Sequence, residues 1–354
     1  MSSVLFFDPV CQHPYDTRTL QQQALGGTEA TLTRVADALD AYVMQHNRAE
    51  RWGRYLPPQA LPGVRHVVLN REARALPQVQ ALFPEARVYL WLHDQLRPGS
   101  KRARRLATCA GALGAAAVTV VCVSEAQRRG VDAVLEALGL GAAVCSLTIY
   151  NPIDETLMPD GTAVDERRLV FFSSPNKGLG FALDAFAALR RAMPDLQLLV
   201  GNPGYKADRA TRLPGVEFLG PLPQARMHQQ VRAALCTFFP NFVIPETFGL
   251  VFAESHALGT PVLTVDCGAA LEVLGDPAEV LPLRAAYRAY EALVGGLPFA
   301  LRRLPAQLAA RAGLFEPFVA RVAEWRGGAR PHVQPDARFL LGRIVTQWRA
   351  LFAR

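Results

Sequence analysis

The sequence predicts an α/β protein built from two doubly wound parallel sheets. Short apolar runs alternate with longer amphipathic segments, and this alternation occurs twice along the chain. The 354 residues are enough for two domains of ordinary size, each with its own core. Half of the residues are hydrophobic and 19% are charged, which excludes a disordered chain.

Composition also indicates the cellular compartment in which the protein is expected. No apolar run approaches the roughly 18 residues of a membrane span, and residues 1–10 read as a first strand because they lack a basic leader. Six scattered cysteines without a Cys-x-x-Cys pair indicate reduced thiols in a cytoplasm and argue against structural zinc. The net charge of +7 suits an anionic partner such as a nucleotide, an acidic glycan or the inner membrane surface, although an arginine-rich genome bias explains it equally well.

In the first half, buried strands are predicted in order along the chain, separated by helices and polar loops. They cover residues 4–7, 64–69, 87–92, 116–123 and 144–150. Gly26 and Gly27 open a helix that is expected to run to about Tyr42. A glycine turn at a helix start lets backbone amides approach an anion closely, and a plain tight turn is the alternative.

His93 follows the third of these strands directly. Open α/β sheets place their ligand-binding groups at the carboxyl ends of the strands, so His93 is a candidate functional residue. A capping or surface histidine is the alternative.

The second half repeats the pattern after a polar linker at residues 155–168. Strands are predicted at 169–172, 196–200, 236–240 and 261–265, with a turn at 201–204 and helices at about 181–191 and 227–234. Lys177 lies on the turn between the first of these strands and its helix. A cation there is well placed to pair with a diphosphate.

Two carboxylates, Glu246 and Glu254, frame seven mostly apolar residues. A helix is predicted to begin after Gly249 and to stop at Gly259, so the free N–H groups near Gly249 and Leu250 form a phosphate site. Glu254 lies one turn further in, where it could accept hydrogen bonds from the hydroxyls of a ribose. Glu246, in the loop before the helix, lies nearer to the group attached beyond the phosphates. The alternative interpretation of the pair is two solvated carboxylates without a ligand.

This Glu-x7-Glu spacing, with Thr247, Phe248 and Gly249 inside it and residues 257–262 after it, resembles retaining glycosyltransferases of the GT-B fold, most closely glycosyltransferase family 4. The resemblance implies that Thr247, Phe248, Gly249 and Leu250 contact a nucleotide-sugar donor.

Further landmarks carry the same resemblance. It implies that Gly26 and Gly27 face the donor diphosphate, that His93 contacts the donor sugar, and that the segment containing Leu222 reads the nucleotide base through its backbone. The chain departs from the family at Ser173-Ser174, which stands where Gly-Arg is expected. One of the two cations that bind the phosphates is therefore missing or supplied from elsewhere.

The family pattern implies three segments. Residues 1–155 form an acceptor-side domain and residues 156–335 a nucleotide-sugar domain, facing each other across a cleft. Residues 336–354 form a helix that crosses back onto the first domain; a dimerisation or membrane-surface helix is the rival interpretation.

The implied reaction moves a sugar, with retention, from a UDP- or GDP-sugar to a hydroxyl of a growing glycan or glycolipid. Lys177 and the N–H groups at Gly249 stabilise the leaving phosphate, and Glu246 orients the sugar without acting as a covalent nucleophile, because no second carboxylate is evident. We expect no metal, no covalently bound cofactor and no nucleic-acid partner.

The expected setting is the cytoplasm or the inner face of the membrane, in polysaccharide assembly. Two rival functions remain open from the sequence. One is a degenerate relative that binds a nucleotide sugar or a partner without turnover, and the other is a GT-B epimerase or phosphorylase.

Overall fold

The computed structural model describes residues 2–23, 25–115, 118–201 and 213–354, apart from the side chains of residues 299 and 300. The chain divides into two compact units: Met1–Asp154 together with Ala337–Arg354, and Glu155–Asp336. Residues 202–204 of the predicted turn and residues 116–117 of a predicted strand lie outside the described part.

The first unit is built on a seven-stranded parallel sheet with the order β3-β2-β1-β4-β5-β6-β7. Its strands are β1 (Val4–Asp8), β2 (Tyr42–Gln45), β3 (Tyr55–Leu56), β4 (His66–Asn70), β5 (Arg87–Leu92), β6 (Thr119–Cys122) and β7 (Cys145–Thr148). Its helices are α1 (Thr17–Gln22), α2 (Gly27–Ala38), α3 (Leu76–Leu82), α4 (Lys101–Ala107), α5 (Ala110–Ala115), α6 (Glu125–Ala137) and, at the end of the chain, α14 (Leu341–Phe352).

The last helix, α14, covers one face of this first sheet. Trp348 is fully buried, and its ring lies 5.8 Å from that of Phe6 on β1 and 5.1 Å from that of Trp91 on β5. Ahead of α14 the chain is held by a backbone hydrogen bond of 2.8 Å from the N–H of Ile153 to the carbonyl of Phe339. Residues at the two ends of the chain therefore share one core.

The second unit contains a six-stranded parallel sheet with the order β10-β9-β8-β11-β12-β13. Its strands are β8 (Asp165–Phe172), β9 (Gln197–Gly201), β10 (Val216–Gly220), β11 (Ala234–Phe238), β12 (Val262–Val265) and β13 (Val280–Leu281). Its helices are α7 (Leu179–Ala192), α8 (Gln224–Arg232), α9 (Leu250–Ala257), α10 (Ala270–Leu274), α11 (Ala285–Val294), α12 (Phe299–Arg311) and α13 (Glu316–Glu324).

Two doubly wound parallel sheets thus confirm the predicted fold class. Several element bounds were wrong. Helix α2 ends at Ala38 because Asp40, with φ of 57°, turns the chain into β2, so Tyr42 lies on a strand. Residues 165–168 belong to β8 and not to a linker, and residue 234 opens β11 and does not end a helix.

Candidate functional site

The site in the second unit begins at the turn after β8, which carries Lys177. The Lys177 Nζ lies 2.8 Å from Oε1 of Glu246 and 3.0 Å from its Oε2, so the ammonium bridges both carboxylate oxygens. Glu246 is buried, whereas about a third of the Lys177 side chain (32%) remains exposed. The turn ends at Gly178, which has φ of 82° and precedes α7. Two residues that are far apart in sequence therefore meet at the carboxyl edge of the sheet.

The backbone of Glu246 is fixed by the turn that follows β12. Its carbonyl accepts a hydrogen bond of 3.0 Å from the N–H of Ala269, and it pairs with Gly268 in an isolated parallel bridge. Gly268 has φ of 70°, and a Cβ there would lie 2.3 Å from the carbonyl oxygen of Glu246. Only glycine allows this approach, which sets the position of the carboxylate.

Gly249 starts α9 in the left-handed conformation, with φ of 88°. A Cβ at this residue would meet the ring of Phe252 at 2.4 Å. Because glycine has no side chain, no side-chain hydrogen bond caps this end of α9, which carries the positive end of the helix dipole. The helix predicted to begin after Gly249 is confirmed.

Glu254 lies one turn into α9 and is buried. The Nε2 of Gln224, the first residue of α8, donates a hydrogen bond of 3.0 Å to Oε1 of Glu254. Leu222 is half-buried in the loop just before α8. The loop predicted to read the base and the glutamate predicted to hold the ribose are thus joined by a residue that the sequence analysis did not single out.

Three further residues of this unit bear on the predicted site. The side chain of Phe248 is fully buried, so only its backbone can face a ligand, whereas Thr247 is half-buried. Ser174, which stands in the Ser173-Ser174 pair, is buried and donates its hydroxyl to Oδ1 of Asn176. The pair supplies no positive charge, and Lys177 is the cation that the structure places on this turn.

The glycine turn belongs to the first unit, where Gly26 caps α2 and Gly27 is its first residue. A Cβ on Gly26 would lie 2.3 Å from Oε2 of Glu29, so the carboxylate of Glu29 occupies the space beside the turn. Burial raises the pKa of this carboxyl, and Arg71 opposes that shift. The N-terminus of α2 is therefore faced by a carboxyl of its own chain, which the sequence analysis missed.

His93 also lies in the first unit, directly after β5. It is buried, and its ring centroid lies 4.5 Å from that of Trp91, with the two ring planes tilted by 54°. Burial, with the charge of Arg71, lowers the pKa of His93 to about 3, so its imidazole is neutral at ordinary pH. The neighbouring Asp94 forms ion pairs with Arg71 at 3.3 Å and with Arg102 at 3.0 Å.

Comparison with known proteins identifies the fold of the chain. Residues 166–294 match the family model described as Glycosyl transferases group 1. The structure of HepE from Anabaena in complex with UDP-glucose superposes with a TM-score of 0.63 at 17% identity, covering 99% of both chains. A sucrose-phosphate synthase from Thermosynechococcus elongatus gives a TM-score of 0.59 at 18% identity, again over 99% of both chains. The fold is GT-B.

Among curated sequences, the GT-B chain resembles two mycobacterial proteins of the same name. The phosphatidyl-myo-inositol mannosyltransferase of Mycolicibacterium smegmatis is 31% identical over 189 residues, which are 49% of this chain and 47% of that protein. The enzyme of the same name from Mycobacterium leprae is 32% identical over 109 residues, 30% of this chain and 29% of that protein. The chain spans about half the length of the first of these relatives. The predicted resemblance to family 4 of the GT-B glycosyltransferases is confirmed.

The residues that sequence reasoning missed in this GT-B chain left only faint signals. Gln224 follows two prolines at a helix start, and Glu29 is the third residue of a helix with no side-chain cap.

Among the described residues, no group of three or more His, Cys, Asp and Glu side chains is arranged to hold a metal ion. In the same part of the chain, no helix is long and apolar enough to cross a bilayer.

Proposed function

We propose that this chain is a retaining hexosyltransferase that moves a sugar from a nucleotide diphosphate to an acceptor hydroxyl. One observation carries the proposal: Lys177 and Glu246 are paired just ahead of the first turn of α9, and Glu254 lies one turn further into that helix. A cation, a helix N-terminus and two carboxylates at the carboxyl edge of one parallel sheet match the needs of a nucleotide-sugar donor.

The leaving diphosphate occupies the first turn of α9. Negative charge develops on it as the sugar departs, and the N–H groups of Gly249 and Leu250 lie where that charge can be stabilised. Lys177 leaves Glu246 for the phosphate when the donor binds, since a dianionic phosphate attracts the ammonium more strongly than one carboxylate does. Thr247 and Phe248 contribute through the backbone of the same loop.

The rest of the donor follows from this placement. Glu254 accepts hydrogen bonds from the ribose hydroxyls, and the loop at Leu222 contacts the base of UDP or GDP. Glu246, released by Lys177, accepts hydrogen bonds from the sugar. His93 acts as a neutral hydrogen-bonding group toward the donor sugar, and the turn at Gly26 and Gly27 contacts the donor, with Glu29 beside it.

Retention follows from a front-face substitution in which the leaving phosphate takes the acceptor proton. This route needs no second carboxylate and no metal ion. The names of the mycobacterial relatives support a glycolipid hydroxyl as the acceptor, bound on the side of the first unit. We place the reaction at the cytoplasmic face of the membrane, in the assembly of a surface glycan, without a nucleic-acid partner.

A second function is favoured by Ser173-Ser174, because the missing arginine weakens phosphate binding. The chain would then bind a nucleotide sugar without turnover.

The test is calorimetric titration of the wild type, Glu254→Ala and Glu254→Gln with UDP and with GDP. The proposal expects micromolar binding of one nucleotide and a loss of at least about 1.5 kcal/mol in Glu254→Ala. If the wild type bound neither nucleotide, or if Glu254→Ala bound as tightly as the wild type, the proposed donor site would be overturned. Release of the nucleotide diphosphate from the sugar nucleotide with acceptor present then separates a transferase from a binder without turnover.

A further inference from the structure

The second unit exposes five leucines at the end of α11, in the loop after it and along α12. We name these residues the leucine ridge, and between 38% and 74% of each is exposed. They are Leu293, Leu297, Leu301, Leu304 and Leu308. Leu301, Leu304 and Leu308 follow one another at helical spacing on α12, so they form a single stripe. A contiguous apolar stripe of this kind on a surface marks a contact with something apolar.

The orientation of α12 is fixed by Arg302 on its opposite side. The Arg302 Nη2 lies 2.7 Å from Oδ2 of Asp184 on α7 and 3.0 Å from Oε2 of Glu291 on α11. Arg302 and Asp184 are both buried, and removing either would leave the other charge unpaired. The helix cannot roll to bury the ridge without breaking this pair, so the leucines are held facing outward.

Within the segment that carries the ridge, the exposed charged residues are all positive. Residues 282–313 contain five arginines and one acidic residue, Glu291. Glu291 is engaged with Arg302 inside the unit. The four remaining arginines of this segment are all exposed; they are Arg284, Arg288, Arg303 and Arg311. The exposed face of the segment therefore combines apolar side chains with positive charge.

We propose that the leucine ridge docks on an anionic phospholipid bilayer, with α12 lying in the plane of the headgroups. Leucines enter the boundary between headgroups and acyl chains, and the surrounding arginines bind lipid phosphates. A second copy of the chain is a poorer occupant, because a symmetric contact through the ridge would bring the same arginines together. The inference is independent of the donor site, since none of these residues belongs to it.

The test is vesicle flotation of this chain with liposomes of phosphatidylglycerol and phosphatidylcholine, and with phosphatidylcholine alone. The test variant is Leu304→Asp/Leu308→Asp. Its matched control is Met158→Asp/Val164→Asp, which adds the same charge at exposed apolar residues of the same unit outside the ridge. A second variant, Arg303→Gln/Arg311→Gln, keeps the leucines and removes charge. Circular dichroism and UDP or GDP titration establish that each variant is folded.

The proposal expects the wild type to float with the anionic vesicles and at least about ten times less with neutral ones. The leucine variant should lose at least about tenfold in bound fraction. The arginine variant should bind more weakly than the wild type at low salt, and its binding should change less as the salt concentration rises, because fewer charges remain to be screened. The control should bind as the wild type does. Three results would overturn the inference: no flotation of the wild type, equal loss in test and control variants, or a wild-type dimer that the leucine substitutions convert to a monomer.

Discussion

The ammonium of Lys177 lies 2.8 Å and 3.0 Å from the two oxygens of Glu246, across 69 residues of sequence. The pair joins the turn after β8 to the loop before α9, so both candidate catalytic groups are held at one place before any ligand arrives. In the proposed reaction they separate, with Lys177 moving to the phosphate and Glu246 to the sugar. The ion pair is then the resting form of the site.

Lys177→Ala should abolish most of the proposed catalysis. Removing a cation aimed at the leaving group costs about 100- to 1000-fold in turnover, and loss of a charge-assisted hydrogen bond weakens nucleotide binding by about 1.5 to 3 kcal/mol. Nucleotide titration and the rate of nucleotide release measure the two effects. Lys101→Ala, at an exposed lysine on α4, is the control and should change neither. If Lys177→Ala bound the nucleotide with wild-type affinity, Lys177 would not be a ligand of the phosphate.

Gly268→Ala should destabilise the second unit and displace Glu246. Gly275→Ala is a matched control, because Gly275 also has a left-handed φ (73°, against 70° at Gly268) but a Cβ there has no atom within 4 Å. The control should lose about 1 to 2 kcal/mol for the conformation alone. Gly268→Ala should lose at least about 2 kcal/mol more, because of the contact with Glu246. Urea unfolding measures the free energy of unfolding of both variants. Equal losses would contradict a role for the close approach of residue 268 to the carbonyl of Glu246.

Gln224 should act as a positioning residue for Glu254 through its 3.0 Å hydrogen bond. We expect Gln224→Ala to weaken UDP or GDP binding about tenfold, and Gln224→Glu to weaken it more because two carboxylates would meet. The effect should disappear for a nucleotide that lacks both ribose hydroxyls. Gln229→Ala, at an exposed residue of the same helix, is the control. If Gln224→Ala weakened binding equally for the nucleotide with ribose hydroxyls and for the one without them, the role of Gln224 would be merely structural.

His93 should make the fold sensitive to acid. Folding lowers its pKa from 6.5 to about 3, so between these values the unfolded chain binds a proton that the folded chain does not. Stability present above pH 6.5 is therefore lost as the pH falls toward 3, by up to about 1.4 kcal/mol per pH unit. Urea unfolding at pH 7 and pH 5 should show a loss about 2 kcal/mol smaller in His93→Gln than in the wild type. The same loss in both proteins would argue against this origin.

Sequence alone predicted what depends on local chemistry. The Gly249 turn, the helix after it and its stop near Gly259 follow from glycine and apolar spacing, and β5 was predicted with its observed ends. The strand at Tyr42–Gln45 was missed because its apolar residues continue the helical spacing of α2. The break between the two elements lies in the backbone of Asp40, which turns the chain.

The contacts that organise the site were beyond prediction from sequence. Lys177 and Glu246 were each singled out, yet their pairing depends on two loops that only the sheet order brings together. Gln224 was missed for the same reason, since nothing beside it in the chain points to a glutamate 30 residues away. Glu29 was missed because a carboxylate near a helix start reads as ordinary capping chemistry.

The placement of α14 has a consequence for synthesis. Phe6 and Trp91 are made before the second unit, but Trp348, which packs against both, is made after it. The second unit, Glu155–Asp336, is complete before that point. A nascent chain therefore carries an N-terminal sheet with one apolar face uncovered while the unit behind it can already fold. We expect chaperones that bind exposed aromatic surface to engage this protein during translation and to release it when α14 emerges and packs on the first sheet.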